Sequence, residues 1–195
     1  MNRCHGAFSH LCRIGAGMPR WPKRCLTPHA RPRLWSVAVA DPPLRSRSPA
    51  DTEAIAAELV SRLEPGDSVW LRGELGVGKT AFVRGAARAL GVAQPVTSPT
   101  YTVGNRYAGN GVSVAHLDLY RSTGLTIEEW ADLEPYFEDA IAFIEWPDAG
   151  AGLLPDPRVT VDIDHLQGDA RLITLSCDDS GLLNALAAAL ARYRD

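Results

Sequence analysis

Residues 73–80 read Gly-Glu-Leu-Gly-Val-Gly-Lys-Thr, which satisfies the spacing G-x-x-x-x-G-K-[ST] of a phosphate-binding loop. Glycines let the backbone curl so that successive N–H groups point at phosphate oxygens. A following helix adds the positive end of its dipole to the same place. Lys79 is then placed to reach the β- and γ-phosphates, and the Thr80 hydroxyl is placed to bind Mg²⁺. The expected nucleotide contacts within the segment are Glu74, Leu75, Gly76, Val77, Gly78, Lys79 and Thr80.

The flanking sequence supports this interpretation over a chance glycine-rich turn. Residues 68–72 contain three consecutive apolar residues, Val69, Trp70 and Leu71, which predicts a short strand buried on both faces. Residues 79–90 have a helical pattern that Gly91 closes. The order strand, loop, helix is the context that this motif requires.

A phosphate-binding loop also needs an acid at the end of a buried strand to hold magnesium, directly or through water. Two candidates satisfy this requirement. Glu145 ends the apolar run Ala-Ile-Ala-Phe-Ile, whereas Asp118 ends the alternating run Val-Ser-Val-Ala-His-Leu. The sequence leaves the choice between them open, and together with Lys79 they are the predicted catalytic residues.

Other polar residues near these motifs favour plainer interpretations. Residues 97–100, Thr-Ser-Pro-Thr, are predicted to form a β-turn rather than a phosphate sensor. His116 and Trp146 are interpreted as packing residues, and Arg121 and Arg171 as solvated surface charges. The Asn-Lys-x-Asp signature of guanine recognition does not occur in the sequence, which mildly favours adenine.

The charge of the chain is unevenly distributed. Its 195 residues carry a net charge of −3. Residues 1–47 hold eight arginines and one lysine against one acid, a net charge of +8, so the remainder carries −11. An acidic domain is not expected to bind nucleic acid through bulk electrostatics. A role in RNA chemistry would therefore run through a partner protein.

The basic segment, residues 1–47, is rich in Arg and Pro and has no sustained periodicity. We expect a disordered extension, or a start site placed upstream of the real one, with the functional domain over residues 48–195. A transit peptide, which would share the Arg-rich and acid-poor composition, is the less favoured alternative. Three of the four cysteines lie in the segment, and their spacings fit neither a metal knuckle nor a disulfide framework. With no apolar run of membrane-spanning or secretory length, the expected location is the cytoplasm and no membrane partner is expected.

The remaining pattern predicts an α/β sandwich with a P-loop NTPase-like fold, in which a parallel central sheet is extended by antiparallel strands. A helix is expected from Ser48 to the Pro65-Gly66 stop. An antiparallel hairpin is expected over residues 101–107 and 112–117. The other predicted elements are a helix over 126–137, a strand over 140–144, strands over 159–163 and 171–175, and a helix over 182–193.

Several short motifs occur in the order typical of one protein family. After the glycine motif come Phe-Val-Arg-Gly at 82–85, Ser-Pro-Thr-Tyr-Thr at 98–102, His-Leu-Asp-Leu-Tyr-Arg at 116–121 and Ile-Glu-Trp-Pro at 144–147. Over residues 48–190 the chain resembles the TsaE family, the ATPases of bacterial tRNA threonylcarbamoyladenosine synthesis. Several distinct motifs in one order identify a family more specifically than the glycine motif does alone.

The resemblance implies an ATPase, slow alone, that supports the TsaB–TsaD assembly in transferring a threonylcarbamoyl group to adenosine 37 of tRNA. It implies magnesium ligation by Thr80 and Glu145, a place for Asp118 close to the phosphates, and a nucleotide contact from Arg171. Residues 48–52 correspond to a segment that touches adenine in the family. A small-molecule kinase and a nucleotide-gated binding module are the alternative functions.

Overall fold

The computed structural model describes residues 38–99, 103–122 and 124–194. The helices are α1 (Pro49–Val60), α2 (Lys79–Ala89), α3 (Ile127–Leu133) and α4 (Ser180–Ala189). The strands are β1 (Ala38–Val39), β2 (Leu44–Ser46), β3 (Ser68–Arg72), β4 (Gly104–Ala108), β5 (Ser113–Asp118), β6 (Ala140–Glu145), β7 (Val159–His165) and β8 (Arg171–Cys177). Among these described residues, no helix is both long enough and apolar enough to cross a membrane.

The strands form one sheet in the order β1-β8-β7-β3-β6-β5-β4, with β2 also paired to β8. Strands β7, β3, β6 and β5 are mutually parallel. Antiparallel β4 extends one edge of this centre, and antiparallel β8 with β1 and β2 extends the other. This arrangement confirms the predicted fold class, a parallel centre with antiparallel additions.

The register of the parallel strands brings the candidate acids to one edge of the sheet. Glu145 lies opposite Leu71 of β3 on one side and opposite Asp118 of β5 on the other. The chain leaves β3 after Arg72, passes through residues 73–78 and enters α2 at Lys79. Because the carboxyl ends of parallel strands meet at one edge, motifs far apart in sequence converge beside the start of α2.

Each face of the central strands carries its own apolar core. Ile55 of α1 and Phe82 of α2 pack with Phe143 of β6 in the larger core, which α4 also joins. Ile144 of β6 packs with Phe137 on the opposite face. All six residues of β6 are buried, as its apolar run predicts for a central strand covered on both sides.

Two predicted helices have different ends in the structure. The helix expected over 126–137 becomes α3, followed by a 3-10 turn at Glu134–Phe137, because Pro135 has no N–H to continue the α-helical ladder. The last helix begins earlier than predicted, at Ser180, because the Asp179 carboxylate accepts a hydrogen bond from the Leu182 N–H at 3.0 Å. The hairpin is formed by β4 and β5, while residues 101 and 102 lie outside the described part.

The folded domain begins before Ser48, where the sequence had placed its boundary. Residues 38–46 contain β1 and β2, and both strands pair with β8. Leu44 is 1% exposed and the Ser46 hydroxyl is hydrogen-bonded to Thr52 of α1. The expectation of a disordered extension is therefore wrong for residues 38–46, because these residues pair with a distant strand although their own sequence shows little pattern. Residues 1–37 lie outside the described residues.

We expect Leu44→Ala to lower the free energy of unfolding by about 2–5 kcal/mol, since it removes a buried side chain from the larger core. Arg45→Ala, at the exposed neighbouring position, is the matched control and should change stability by less than about 0.5 kcal/mol. Urea unfolding of both variants measures the difference. Equal stabilities would contradict the inclusion of β2 in the cooperative unit.

Candidate functional site

The glycine loop, residues 73–78, connects β3 to α2 in a conformation that glycine favours. Gly73, Gly76 and Gly78 have φ angles of +131°, +77° and +116°, which L side chains rarely adopt. A Cβ on Gly73 would lie 2.2 Å from the carbonyl oxygen of Ile163 on β7. At Gly76 and Gly78 a Cβ would meet nothing within 4 Å. The loop is thus packed against the sheet at its start and borders open space beyond it.

Lys79 opens α2 and its side chain is almost enclosed, with 4% of the residue exposed. The Nζ atom donates hydrogen bonds to the carbonyl oxygens of Gly73 at 2.8 Å and Glu74 at 2.9 Å. It also lies 4.1 Å from the ring centroid of Trp146. Burial lowers the pKa of Lys79 most strongly, while attraction from Glu145 and Asp118 acts in the opposite direction. The loop therefore wraps around a charged group held by carbonyls and an aromatic face.

Glu145, at the end of β6, accepts two hydrogen bonds on one carboxylate oxygen. The Thr80 hydroxyl donates to its Oε1 at 2.9 Å, and Nε2 of His116 lies 2.9 Å from the same atom. Glu145 is 4% exposed and His116 is 0% exposed. The structure thus brings the two predicted magnesium ligands, Thr80 and Glu145, into direct contact.

Asp118 lies beside Glu145 but has different partners. Its Oδ2 accepts a hydrogen bond from the Ser98 hydroxyl at 3.1 Å, and its Oδ1 accepts one from the Tyr120 N–H at 3.0 Å. The two acids between which the sequence left the choice open are therefore neighbours. Glu145 contacts Thr80 of α2, whereas Asp118 is tied to the segments that flank β5.

Arg171, the first residue of β8, supports the glycine loop from the side. Its Nε donates to the carbonyl oxygen of Val77 at 2.7 Å, and one terminal nitrogen donates to the carbonyl oxygens of Gly168 at 3.0 Å and Ala170 at 2.8 Å. This guanidinium is committed to backbone acceptors and is not the solvated surface charge of the plainer interpretation. The nucleotide contact that the resemblance implies for Arg171 stays a prediction.

The sequence missed three contributors to the site. His116 contacts Glu145, Ser98 contacts Asp118, and Trp146 covers Lys79 with a left-handed φ of +59°. For His116 a signal existed, because His116 and Asp118 are two apart and so lie on the same face of β5. No local pattern identifies the left-handed backbone of Trp146, which depends on tertiary contacts.

The residues of the site fit a magnesium nucleotide. The described residues contain no group of three or more His, Cys, Asp or Glu that could hold a metal by themselves. A hydroxyl and a carboxylate in contact suit Mg²⁺, which usually keeps water and takes phosphate oxygens as its other ligands. The loop N–H groups at the start of α2 have no acceptors within the helix and suit phosphate.

A cavity of about 230 Å³ lies directly beside the loop. It is lined by Arg72, Gly73, Glu74, Trp146, Asp148 and Asp164. A larger cavity of about 400 Å³, between β2, α1 and the C-terminal turn, is lined by none of the site residues described above. The smaller cavity is the space that the glycine loop and Trp146 share.

The fold and this loop define the class of the protein: an α/β protein with a P-loop NTPase-like fold, which fits nucleotide binding. Residues 46–173 match the family model described as "Threonylcarbamoyl adenosine biosynthesis protein TsaE". The chain belongs to the TsaE family.

Individual relatives agree with the family model. The chain is 39% identical over 122 residues to the "tRNA threonylcarbamoyladenosine biosynthesis protein TsaE" of Haemophilus influenzae, covering 61% of this chain and 77% of that protein. It is 36% identical to the Treponema pallidum protein of the same name, covering 67% and 97% of the two chains. The crystal structure of Bacillus subtilis YdiB matches with a TM-score of 0.63 and 28% identity, over 82% of this chain and 98% of that one.

We expect Gly73→Ala to be more destabilising than Gly66→Ala, although both glycines have positive φ angles. At Gly66 a Cβ meets nothing within 4 Å, so only the backbone conformation is penalised, by about 1–2 kcal/mol. At Gly73 the collision with the Ile163 carbonyl adds to that penalty. Denaturant unfolding of the two variants gives the comparison, and equal losses of stability would contradict the close packing of the loop on β7.

Proposed function

We propose that this chain binds ATP with Mg²⁺ at the glycine loop and hydrolyses ATP during the synthesis of N6-threonylcarbamoyladenosine at position 37 of tRNA. Membership of the TsaE family supports the pathway. The observation that carries the chemistry is the convergence of Lys79, Thr80 and Glu145 at the loop, with Thr80 2.9 Å from Glu145. The location in this proposal is the cytoplasm.

Each residue of the site has a role in binding or orientation. The loop N–H groups and the Lys79 ammonium hold the phosphates, and Arg171 keeps the loop in shape through the Val77 carbonyl. Thr80 and Glu145 hold Mg²⁺, which when bound neutralises phosphate charge. Asp118, fixed by Ser98 and the Tyr120 N–H, lies next to Glu145 and orients the reacting groups. Catalysis then rests on positioning and on charge stabilisation.

Hydrolysis by the chain alone is expected to be slow and to depend on the partner proteins TsaB and TsaD. Leu75 of the loop is 68% exposed, and Tyr120, whose ring lies 4.9 Å from that of Trp146, is 52% exposed. Large apolar side chains exposed at the edge of a site suit coverage by another protein. The tRNA is reached indirectly through the complex, since residues 48–195 carry a net charge of −11.

We expect Lys79→Ala and Glu145→Ala each to lower ATP hydrolysis by about 100- to 1,000-fold, because each removes a charge that acts on the phosphates or on their cation. Arg88→Ala is the control on the same helix, since Arg88 pairs with Glu53 and has a side chain 68% exposed. Phosphate release, measured with circular dichroism as a check of folding, gives the result. Undiminished turnover in both folded site variants would overturn the assignment, and transfer to an acceptor other than water would favour a kinase.

A second test addresses the pathway. In a reconstitution with TsaB, TsaD, tRNA and the threonylcarbamoyl donor, we expect wild-type protein to sustain repeated rounds of tRNA modification and Lys79→Ala to fail to do so. The measurement is modified adenosine formed per TsaD molecule. Equal yields with wild type, with Lys79→Ala and without the chain would contradict its role in this synthesis.

A further inference from the structure

His116 of β5 is a fully buried polar residue to which the proposed function gives no role. It is 0% exposed and its Nε2 lies 2.9 Å from Glu145 Oε1. We propose that His116 is a positioning residue that fixes the Glu145 carboxylate for the cation. This inference rests on the proposed function, because it gives Glu145 the role of a magnesium ligand.

The direction of the hydrogen bond follows from its partners. An ionised carboxylate only accepts hydrogen bonds, and the same Oε1 already accepts one from Thr80. His116 therefore donates from Nε2. Its Nδ1 is buried and has no hydrogen-bond partner among the residues that the structure describes, so a proton there would be an unpaired buried N–H, which is costly. The ring is thus the neutral tautomer with its proton on Nε2, aimed at Glu145.

Thr80 and His116, the two donors to Oε1, are affected differently when a cation binds. The Thr80 oxygen is itself a proposed ligand, so it has to present a lone pair to the cation. His116 is not a proposed ligand of the cation. It lies on β5, which pairs in parallel with β6, and β6 ends at Glu145. None of the described residues donates a hydrogen bond to Oε2 of Glu145. His116 thus holds Oε1 and leaves Oε2 for the cation or its water.

This arrangement is the outer-shell support common at metal sites, where a ligating carboxylate is oriented by a further hydrogen bond. Loss of such a contact typically lowers metal affinity or activity about 10- to 100-fold. A histidine that served packing alone would instead affect stability and nucleotide binding without regard to magnesium. The effect of magnesium on the ATP affinity of His116 variants therefore distinguishes a positioning role of His116 from a packing role.

The test uses two amide variants of the full-length chain. His116→Gln places its amide nitrogen near the position of Nε2, whereas the shorter side chain of His116→Asn reaches only the position of Nδ1. Titration calorimetry with ATP, in Mg²⁺ and in EDTA, gives the gain in affinity due to magnesium. We expect His116→Asn to lower that gain about 10- to 100-fold with little change in EDTA. His116→Gln should retain most of the gain.

Glu145→Gln separates this inference from the proposed function. If Glu145→Gln abolishes the magnesium gain but His116→Asn retains it, the positioning role is overturned and the proposed function stands. If Glu145→Gln retains the full gain, Glu145 is not a magnesium ligand, and the positioning role of His116 fails together with the proposed role of Glu145. A loss in His116→Asn that is equal in Mg²⁺ and in EDTA would also overturn the inference, because it indicates packing alone.

A spectroscopic measurement on wild-type protein does not depend on whether the variants fold. The ¹⁵N chemical shifts of the His116 ring distinguish the two neutral tautomers, and the ring signals are assigned through the carbons bonded to them. We expect the proton on Nε2 both with and without Mg²⁺ and ATP. A proton on Nδ1 in either condition would overturn the proposal, since Nε2 would then have nothing to donate.

Discussion

The buried ammonium of Lys79 is the charge around which the site is organised. Enclosed lysines need acceptors in place of water, and here the Gly73 and Glu74 carbonyls and the Trp146 ring supply them. The loop can present those carbonyls only because its glycines adopt positive φ angles. The same conformation places the loop at the edge of the sheet where Glu145 ends β6. The fold of the loop therefore brings the ammonium of Lys79 and the carboxylate of Glu145 into one site.

Much of this arrangement could be predicted because the signals are local. The glycine motif requires a strand before it and a helix after it, and both are visible as apolar runs around residues 73–80. The run of residues 140–144 predicts a central strand because only a strand covered on both faces is apolar throughout. The requirement for an acid at the end of a strand then leaves Asp118 and Glu145 as the candidate magnesium ligands. The fold class and the chemistry of the loop follow from such patterns.

What could not be predicted depends on contacts between distant residues. Nothing in the pattern of residues 38–46 indicates strands, because their order comes from pairing with β8. Whether Glu145 or Asp118 contacts Thr80 depends on where the start of α2 lies relative to the ends of β5 and β6, and not on the sequence of either strand alone. His116 and Trp146 are interpreted from the sequence as packing residues for the same reason, since the partner of His116 is Glu145 on β6 and the partner of Trp146 is Lys79 on α2.

The most direct measurement is a crystal structure of the full chain with a non-hydrolysable ATP analogue and Mg²⁺. The account predicts that Lys79 Nζ exchanges the Gly73 and Glu74 carbonyls for phosphate oxygens, while Thr80 and Glu145 approach the cation directly or through water. A triphosphate bound away from the glycine loop, with Lys79 still held by the two carbonyls, would contradict it.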